Sequence, residues 1–115
     1  MIEKTNFCVF EYQNRDGGNF KSYGILLLRG QASEDAKERI QAMLIDQMFF
    51  YEEDVQIPAL YEGLWKWGFS TLDIYWHEFL DLRPVTVQEI AELPCFGDLE
   101  VLTCKFEKAK TKWQV

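Results

Sequence analysis

The stretch that most constrains the fold runs from Thr71 to Arg83 and reads TLDIYWHEFLDLR. Its apolar residues alternate with polar and aromatic residues over the whole length, and a strand sends successive side chains to opposite faces. The sequence therefore predicts one long strand with an apolar face and a polar, aromatic face. Glu78 shares the apolar parity with Trp76 and Leu80, so either a bulge re-aims the strand or a carboxylate lies near the core.

The segments around this strand predict a single α+β domain over residues 1–107, with a largely antiparallel sheet and helices packed on one face, the face of Trp76. Residues 108–115 form a basic tail that we expect to fray unless Trp113 docks on the domain. The predicted order is β-β-α-α-β-α-β. Its elements are the strands Asn6–Gln13 and Phe20–Arg29 with a turn at Asn14–Asn19, a helix capped by Ser33, a helix from Pro58 to Trp67, the strand Thr71–Arg83, a short helix opened by a Thr86–Glu89 capping box, and a last strand Asp98–Glu107.

Composition and charge narrow the classes of partner. The 115 residues are 48% hydrophobic and 16% aromatic, which supplies a core and leaves rings for a binding surface. The net charge is −7, and residues 1–104 hold 8 Lys and Arg against 18 Asp and Glu. An acidic body disfavours nucleic acid as the main ligand and suits a basic protein partner. The longest apolar run, Gly24–Leu28, is far short of the roughly 20 residues of a membrane span, so we expect a cytoplasmic protein without a membrane partner.

His77 is the only histidine and the first candidate for catalysis. Glu78 follows it on the strand and therefore points to the opposite face, while Asp73 lies roughly 13 Å away on the same face. Neither carboxylate can orient the imidazole. The sequence therefore favours a partly exposed strand histidine, packed by Tyr75 and Phe79, over a general base.

The residues that could bind a metal lack the spacing of a metal site. Cys8, Cys95 and Cys104 are widely separated from one another and from His77, whereas zinc ligands usually occur as close pairs. The acids Glu52–Asp54 lack the surroundings of a calcium loop. We expect no metal and no cofactor, with the cysteines acting as small hydrophobic residues and the acids as a solvated run.

An acidic, aromatic patch is the predicted partner-binding surface. Three rings at 49–51 directly precede three acids at 52–54, and the acids come just before the helix predicted from Pro58, whose N-terminal dipole favours negative charge. Two further rings fall on one stripe of that helix. The predicted patch comprises Tyr51, Glu52, Glu53, Asp54, Tyr61 and Trp65.

No stretch of the chain carries a family motif. Small, acidic, aromatic-rich domains do occur among immunity proteins, phage-encoded inhibitors and toxin-neutralising partners. The sequence favours a non-enzymatic protein-binding module of this inhibitor or immunity type. One alternative is a small-ligand or enzymatic pocket beside Trp76, His77 and Glu78, because perturbed carboxylates are typical of sites. The other alternative is a homodimer formed through exposed rings.

Overall fold

Two long antiparallel strands form the centre of the sheet in the computed structural model of this chain. Strand β1 (Phe7–Arg15) pairs along its whole length with β2 (Lys21–Arg29), from Phe7 opposite Arg29 to Arg15 opposite Lys21. The predicted hairpin pairing is confirmed, although its Gly-Gly turn lies outside the described residues. The structure describes residues 6–15, 21–58, 60 and 76–113.

The described strands make a five-stranded sheet in the order β3-β4-β1-β2-β5. Strands β3 (Phe49–Tyr51) and β4 (Trp76–Pro84) extend it antiparallel on the β1 side, and β5 (Cys95–Asp98) pairs in parallel with β2. The domain is therefore α+β with a largely antiparallel sheet, as predicted. Strand β3 was not predicted, because three residues are too short to show an alternating pattern.

Local capping signals determine where two helices begin. Helix α1 (Glu34–Ala42) follows Ser33, whose hydroxyl accepts a hydrogen bond from the backbone N–H of Ala36 at 3.1 Å. Helix α3 (Val87–Glu92) begins with the predicted capping box, in which Thr86 and Glu89 accept each other's backbone N–H. Both predictions are confirmed. A four-residue helix, α2 (Glu52–Val55), follows β3 directly.

The prediction of a last strand from Asp98 to Glu107 is wrong. Only Asp98 belongs to a strand, and helix α4 (Leu99–Trp113) occupies the rest of the segment and most of the predicted tail. The helix has a physical cause in the sequence, since its buried residues recur every three to four positions. Those residues are Leu99, Leu102, Thr103, Phe106 and Ala109.

The principal core lies between the sheet and three helices, α1, α2 and α4. Phe10 of β1 is at its centre and contacts Phe79, Phe106 and Phe50, with ring centroids 5.3, 6.0 and 6.1 Å away. The short helix α3 differs from the prediction, because it packs on the other face of the sheet. The smaller core on that face contains Val9, Leu27 and Val85, with Ile90 and Leu93 of the α3 region against it.

A bulge in β4 divides the long strand into two halves of opposite parity. Tyr12 pairs with Phe79 and Glu11 pairs with Asp81, so Leu80 is the extra residue. Phe79 before the bulge and Leu82 after it both enter the principal core, whereas Leu80 is 40% exposed. The expectation that the parity of Trp76 and Leu80 faces the helices holds for Leu82, after the bulge, whereas the side chain of Trp76 lies outside the described residues. Before the bulge, His77 and Phe79 face the helices.

Several predicted features fall outside the described residues. They are residues 16–19 of the turn predicted at Asn14–Asn19, the body of the helix predicted from Pro58 to Trp67, and residues 71–75 of the strand predicted from Thr71 to Arg83.

Candidate functional site

The pairing of β1 with β4 gathers four polar side chains at one end of the sheet. Asn14 lies opposite His77, and Gln13 lies opposite Glu78. Their exposed fractions are 0% for Asn14 and His77, 4% for Gln13 and 9% for Glu78. Because neighbouring residues alternate between faces, one pair faces the principal core and the other pair faces away from it. His77 and Glu78 therefore do not meet, as the sequence predicts.

His77 is an internal hydrogen-bond acceptor. The backbone N–H of Leu60 donates to its Nε2 at 3.1 Å, and its ring lies 5.9 Å from that of Phe50 and 6.0 Å from that of Tyr12. A backbone N–H can only donate, so Nε2 carries the lone pair and the ring proton belongs on Nδ1. The prediction of a partly exposed histidine is wrong, because the side chain is completely buried. In this arrangement it cannot reach a substrate as a general base.

Tyr12 makes a second bond to the same segment of chain. Its hydroxyl donates to the Pro58 carbonyl oxygen at 2.8 Å. Burial, and then the negative charge of Glu52, raise the pKa of Tyr12 to about 12, so the phenol stays a donor at physiological pH. Together with the His77–Leu60 bond, it fastens Pro58 and Leu60 onto the sheet.

Gly24 makes room for this attachment. A Cβ at Gly24 would lie 2.8 Å from Cδ2 of Leu60 and 3.0 Å from the ring of Tyr12, closer than packed carbon atoms approach. Glycine within a strand is typical of a bulge or of a close approach, and the structure shows a close approach at Gly24.

Glu78 is held by an internal partner. The Nε2 amide group of Gln13 donates to its carboxylate, and both side chains are buried. A hydrogen bond to a charged acceptor offsets part of the cost of removing that charge from water. The sequence prediction offered a bulge or a buried carboxylate, and the structure contains both.

The predicted acidic patch is only partly assembled by the described residues. Glu52 is 5% exposed, so the expectation of a fully solvated acidic run is wrong at this residue. Tyr51 and Asp54 lie at the surface and are half-buried. The side chain of Glu53 and all of Tyr61 and Trp65 lie outside the described residues, so their proposed roles stay predictions.

Trp113 completes a surface with Tyr51 and Asp54 that the sequence did not predict. Its indole N–H donates to Asp54 Oδ2 at 2.9 Å, and its ring lies 6.4 Å from that of Tyr51. Nζ of Lys112 lies 3.5 Å from Asp54 Oδ1. We call Tyr51, Asp54 and Trp113 the aromatic corner. The signal that could have found Trp113 is its position seven residues after Phe106, on the same side of a helix.

The cysteines and His77 do not converge on one site. Cys8 pairs with Pro84 and Asn14 pairs with His77, so Cys8 and His77 are six residues apart along the ladder, or roughly 20 Å. Burial raises the pKa of the Cys8 thiol to about 11, which keeps it protonated and unreactive. In the described part of the chain, no three side chains of metal-ligating type cluster together.

Comparison with family models, with curated proteins and with solved structures gives no match to this chain. None of the helices in the described ranges has the length and apolar character that a membrane crossing needs.

Proposed function

We propose that this chain is a non-enzymatic protein-binding module of inhibitor or immunity type, and that it contacts its partner through the aromatic corner. The observation that carries the proposal is the pairing of two half-buried rings, Tyr51 and Trp113, with a carboxylate that fixes the indole. Tyrosine and tryptophan are enriched in protein interfaces because each presents a large apolar area and a polar atom. The hydrogen bond to Asp54 orders the Trp113 ring before binding, which lowers the entropic cost of association.

The polar residues that could catalyse a reaction support the same proposal by their placement. His77 and Tyr12 bond to the backbone of Leu60 and Pro58, and Glu78 bonds to Gln13. All of these side chains are buried in the sheet. Their geometry accounts for the stability of this end of the sheet, which leaves the aromatic corner as the better candidate for a functional surface.

A basic partner remains the class that we propose for this surface. The side chain of Asp54 is 22% exposed, and that of Lys112 beside it is 68% exposed. Exposed ion pairs of this kind contribute about 0–1 kcal/mol, so a lysine or arginine of a partner can replace Lys112 at little cost. The cation would then lie against the two rings, where a cation–π contact adds about 0.5–2 kcal/mol.

Affinity capture with three matched baits tests the proposal. Lysate of the native host is passed over the wild-type chain, over Tyr51→Ser and over Tyr23→Ser, each after confirmation of the fold by thermal melting. Tyr23 is a suitable control because it is 66% exposed on β2, on the face of the sheet opposite the principal core. We expect one protein to be retained by the wild type and by Tyr23→Ser, and to be lost by at least tenfold from Tyr51→Ser.

The captured protein also allows a test of charge. Asp54→Asn keeps an oxygen that accepts the indole N–H but removes the negative charge. We expect this variant to associate more slowly with the partner and to show a weaker salt dependence, because rim charges act mainly on the association rate. A partner that binds equally to the wild type, Tyr51→Ser and Asp54→Asn would place the interface elsewhere and refute the aromatic corner.

A further inference from the structure

The hydrogen bond between Leu60 and His77 can form only while the imidazole is neutral. The backbone N–H of Leu60 donates to Nε2 at 3.1 Å, and the imidazole is completely buried. A proton on Nε2 would set a second N–H donor against that of Leu60, so the bond would be lost. It would also put a positive charge on a side chain that has no contact with water, which costs free energy. Both effects keep the ring neutral as long as Leu60 lies against it.

The sheet partners and ring contacts of His77 are uncharged. Asn14 of β1 and Phe50 of β3 lie opposite it in the sheet. Phe106 of α4, whose ring centroid is 5.5 Å from that of Phe50, is uncharged as well. The ring of Tyr12 lies 6.0 Å from the imidazole and stays neutral, because its pKa is raised to about 12, chiefly by burial. These groups therefore do not compensate a positive charge on His77.

Two carboxylates among the described residues lie near this end of the sheet, and neither replaces the lost bond. Glu78 follows His77 on β4 and points to the opposite face. Glu52 of α2 is buried and its negative charge acts on Tyr12, so it would also favour a protonated His77. That attraction offsets part of the cost of a buried charge, but it leaves the N–H of Leu60 without an acceptor. Protonation therefore still opposes the closed arrangement.

We propose that His77 is a pH-sensitive latch, which holds Leu60 on the sheet while its ring is neutral and releases Leu60 when the ring is protonated. An imidazole in water binds a proton near about pH 6.5, so the closed form has its full stability above that pH. Below it, the proton binds to the form in which Leu60 has left the ring. The ratio of released to closed chains should therefore rise about tenfold for each unit by which the pH falls.

The hydrogen bond from Tyr12 to Pro58 opposes this release. It holds Pro58, two residues before Leu60, at 2.8 Å, and it does not change between about pH 7 and about pH 5, because the phenol keeps its proton. Of the two bonds that hold Pro58 and Leu60, only the one to His77 therefore depends on pH. Tyr12→Phe removes the other bond and should raise the released fraction roughly two- to tenfold at each acidic pH.

Amide hydrogen exchange, followed by nuclear magnetic resonance on the full chain, measures the release. Protection of the Leu60 amide, corrected for the intrinsic effect of pH on exchange, should fall about tenfold for each unit below about pH 6.5. The amide of Leu28, completely buried in β2, reports unfolding of the whole sheet. Its protection should stay at least about tenfold higher at every pH, because Leu60 leaves while the sheet remains folded.

His77→Gln is the matched control. The Oε1 atom of glutamine can take the place of Nε2 as acceptor of the Leu60 N–H, but it does not bind a proton in this range of pH. The variant should therefore protect the Leu60 amide equally at about pH 7 and about pH 5. The imidazole signals of the wild type give a second readout that needs no variant, because His77 is the only histidine. At about pH 6 they should still be those of a neutral ring, although an exposed histidine would be mostly protonated.

Each of four results would overturn the latch. An imidazole that becomes protonated near about pH 6.5 while Leu60 stays protected would mean that the closed form accepts the charge. Equal protection of Leu60 and Leu28 would mean that Leu60 leaves only when the whole sheet unfolds. An equal loss of protection with acid in His77→Gln would assign the pH dependence to another group. Release from Tyr12→Phe at the same level as from the wild type would mean that Pro58 and Leu60 are not held together.

Discussion

Replacing Gly24 with alanine tests whether Leu60 and Tyr12 are packed as tightly as the structure shows. The added Cβ would lie 2.8 Å from Leu60 Cδ2 and 3.0 Å from two atoms of the Tyr12 ring. The leucine side chain can rotate, but the ring cannot move freely, because it is 1% exposed and its hydroxyl is bonded to Pro58. The backbone of Gly24 is not in the left-handed region, so the test isolates packing from backbone strain.

Two opposing free energies set the expected result. Alanine restricts the unfolded chain and would stabilise the fold by about 0.4–1 kcal/mol if it fitted. Overpacking a tight contact costs about 1–3 kcal/mol. We therefore expect Gly24→Ala to lower the free energy of unfolding by about 1–2 kcal/mol, or to lower Tm by roughly 5–15 °C for a chain of this size.

Gly97 supplies the matched control. It also lies in a strand, β5, and a Cβ added there would meet nothing within 4 Å. Urea denaturation followed by tryptophan fluorescence should show Gly97→Ala to be as stable as the wild type or slightly more stable. If Gly24→Ala matches or exceeds Gly97→Ala in stability, then Leu60 and Tyr12 do not pack tightly on Gly24, and our account of how Leu60 is held is wrong.

Substitutions test three further features, one at a time. Gln47 has a left-handed φ of 60°, so Gln47→Gly should raise the free energy of unfolding by about 0.5–1 kcal/mol in urea denaturation; a loss of stability would contradict the strain. Bonding to Arg83 lowers the pKa of Glu89 to about 2, so the stabilisation that it gives is complete above its ordinary pKa of 4.5 and is lost as pH falls toward 2. Glu89→Gln should therefore cost about 1–2 kcal/mol at pH 7 and almost nothing at pH 2, as measured by denaturation at both pH values, and a cost independent of pH would refute this origin. Trp113→Phe removes the indole donor to Asp54 and should cost about 1–2 kcal/mol; Asp54→Asn, which keeps an acceptor, should cost less in the same assay.

The parts of the fold that could be predicted are those with local causes. The caps at Ser33 and Thr86 depend on side chains three residues away from the groups they bond, so the sequence alone contains the whole signal. The β1–β2 hairpin likewise joins segments that are neighbours in sequence. Both kinds of prediction are confirmed.

The errors in the predicted fold have two sources. One is a periodic pattern that was split between two predicted elements, and the other is structure that depends on residues far away in sequence. The segment from Leu99 to Trp113 has a helical period, but reading its first half as a strand and its second half as a tail concealed that period. Strand β3 depends on its pairing with β4 and on the turn before it, where Asp46 and Gln47 take left-handed conformations without a glycine to indicate them. Neither the pairing of β3 with β4 nor the turn at Asp46 and Gln47 is indicated by a pattern in the sequence.

In the candidate site, too, the sequence predicts local geometry but not contacts between distant residues. The sequence correctly separated His77 from Glu78, because alternation in a strand is a local rule. It could not show that the backbone N–H of Leu60 bonds to His77, since that contact joins positions 17 residues apart. It placed Trp113 in a tail, although Trp113 bonds to Asp54, 59 residues earlier.

The helix at the end of the described chain has a consequence for synthesis on the ribosome. Phe106 and Ala109 of α4 are buried in the principal core, and the ring of Phe106 packs against that of Phe10 of β1. The core therefore cannot close until α4 has left the ribosome, however long β1 and β2 have been available. During that interval the apolar face of the hairpin stays uncovered and exposed to other chains. The principal core therefore closes through contacts between segments that are far apart in sequence, and such contacts slow folding.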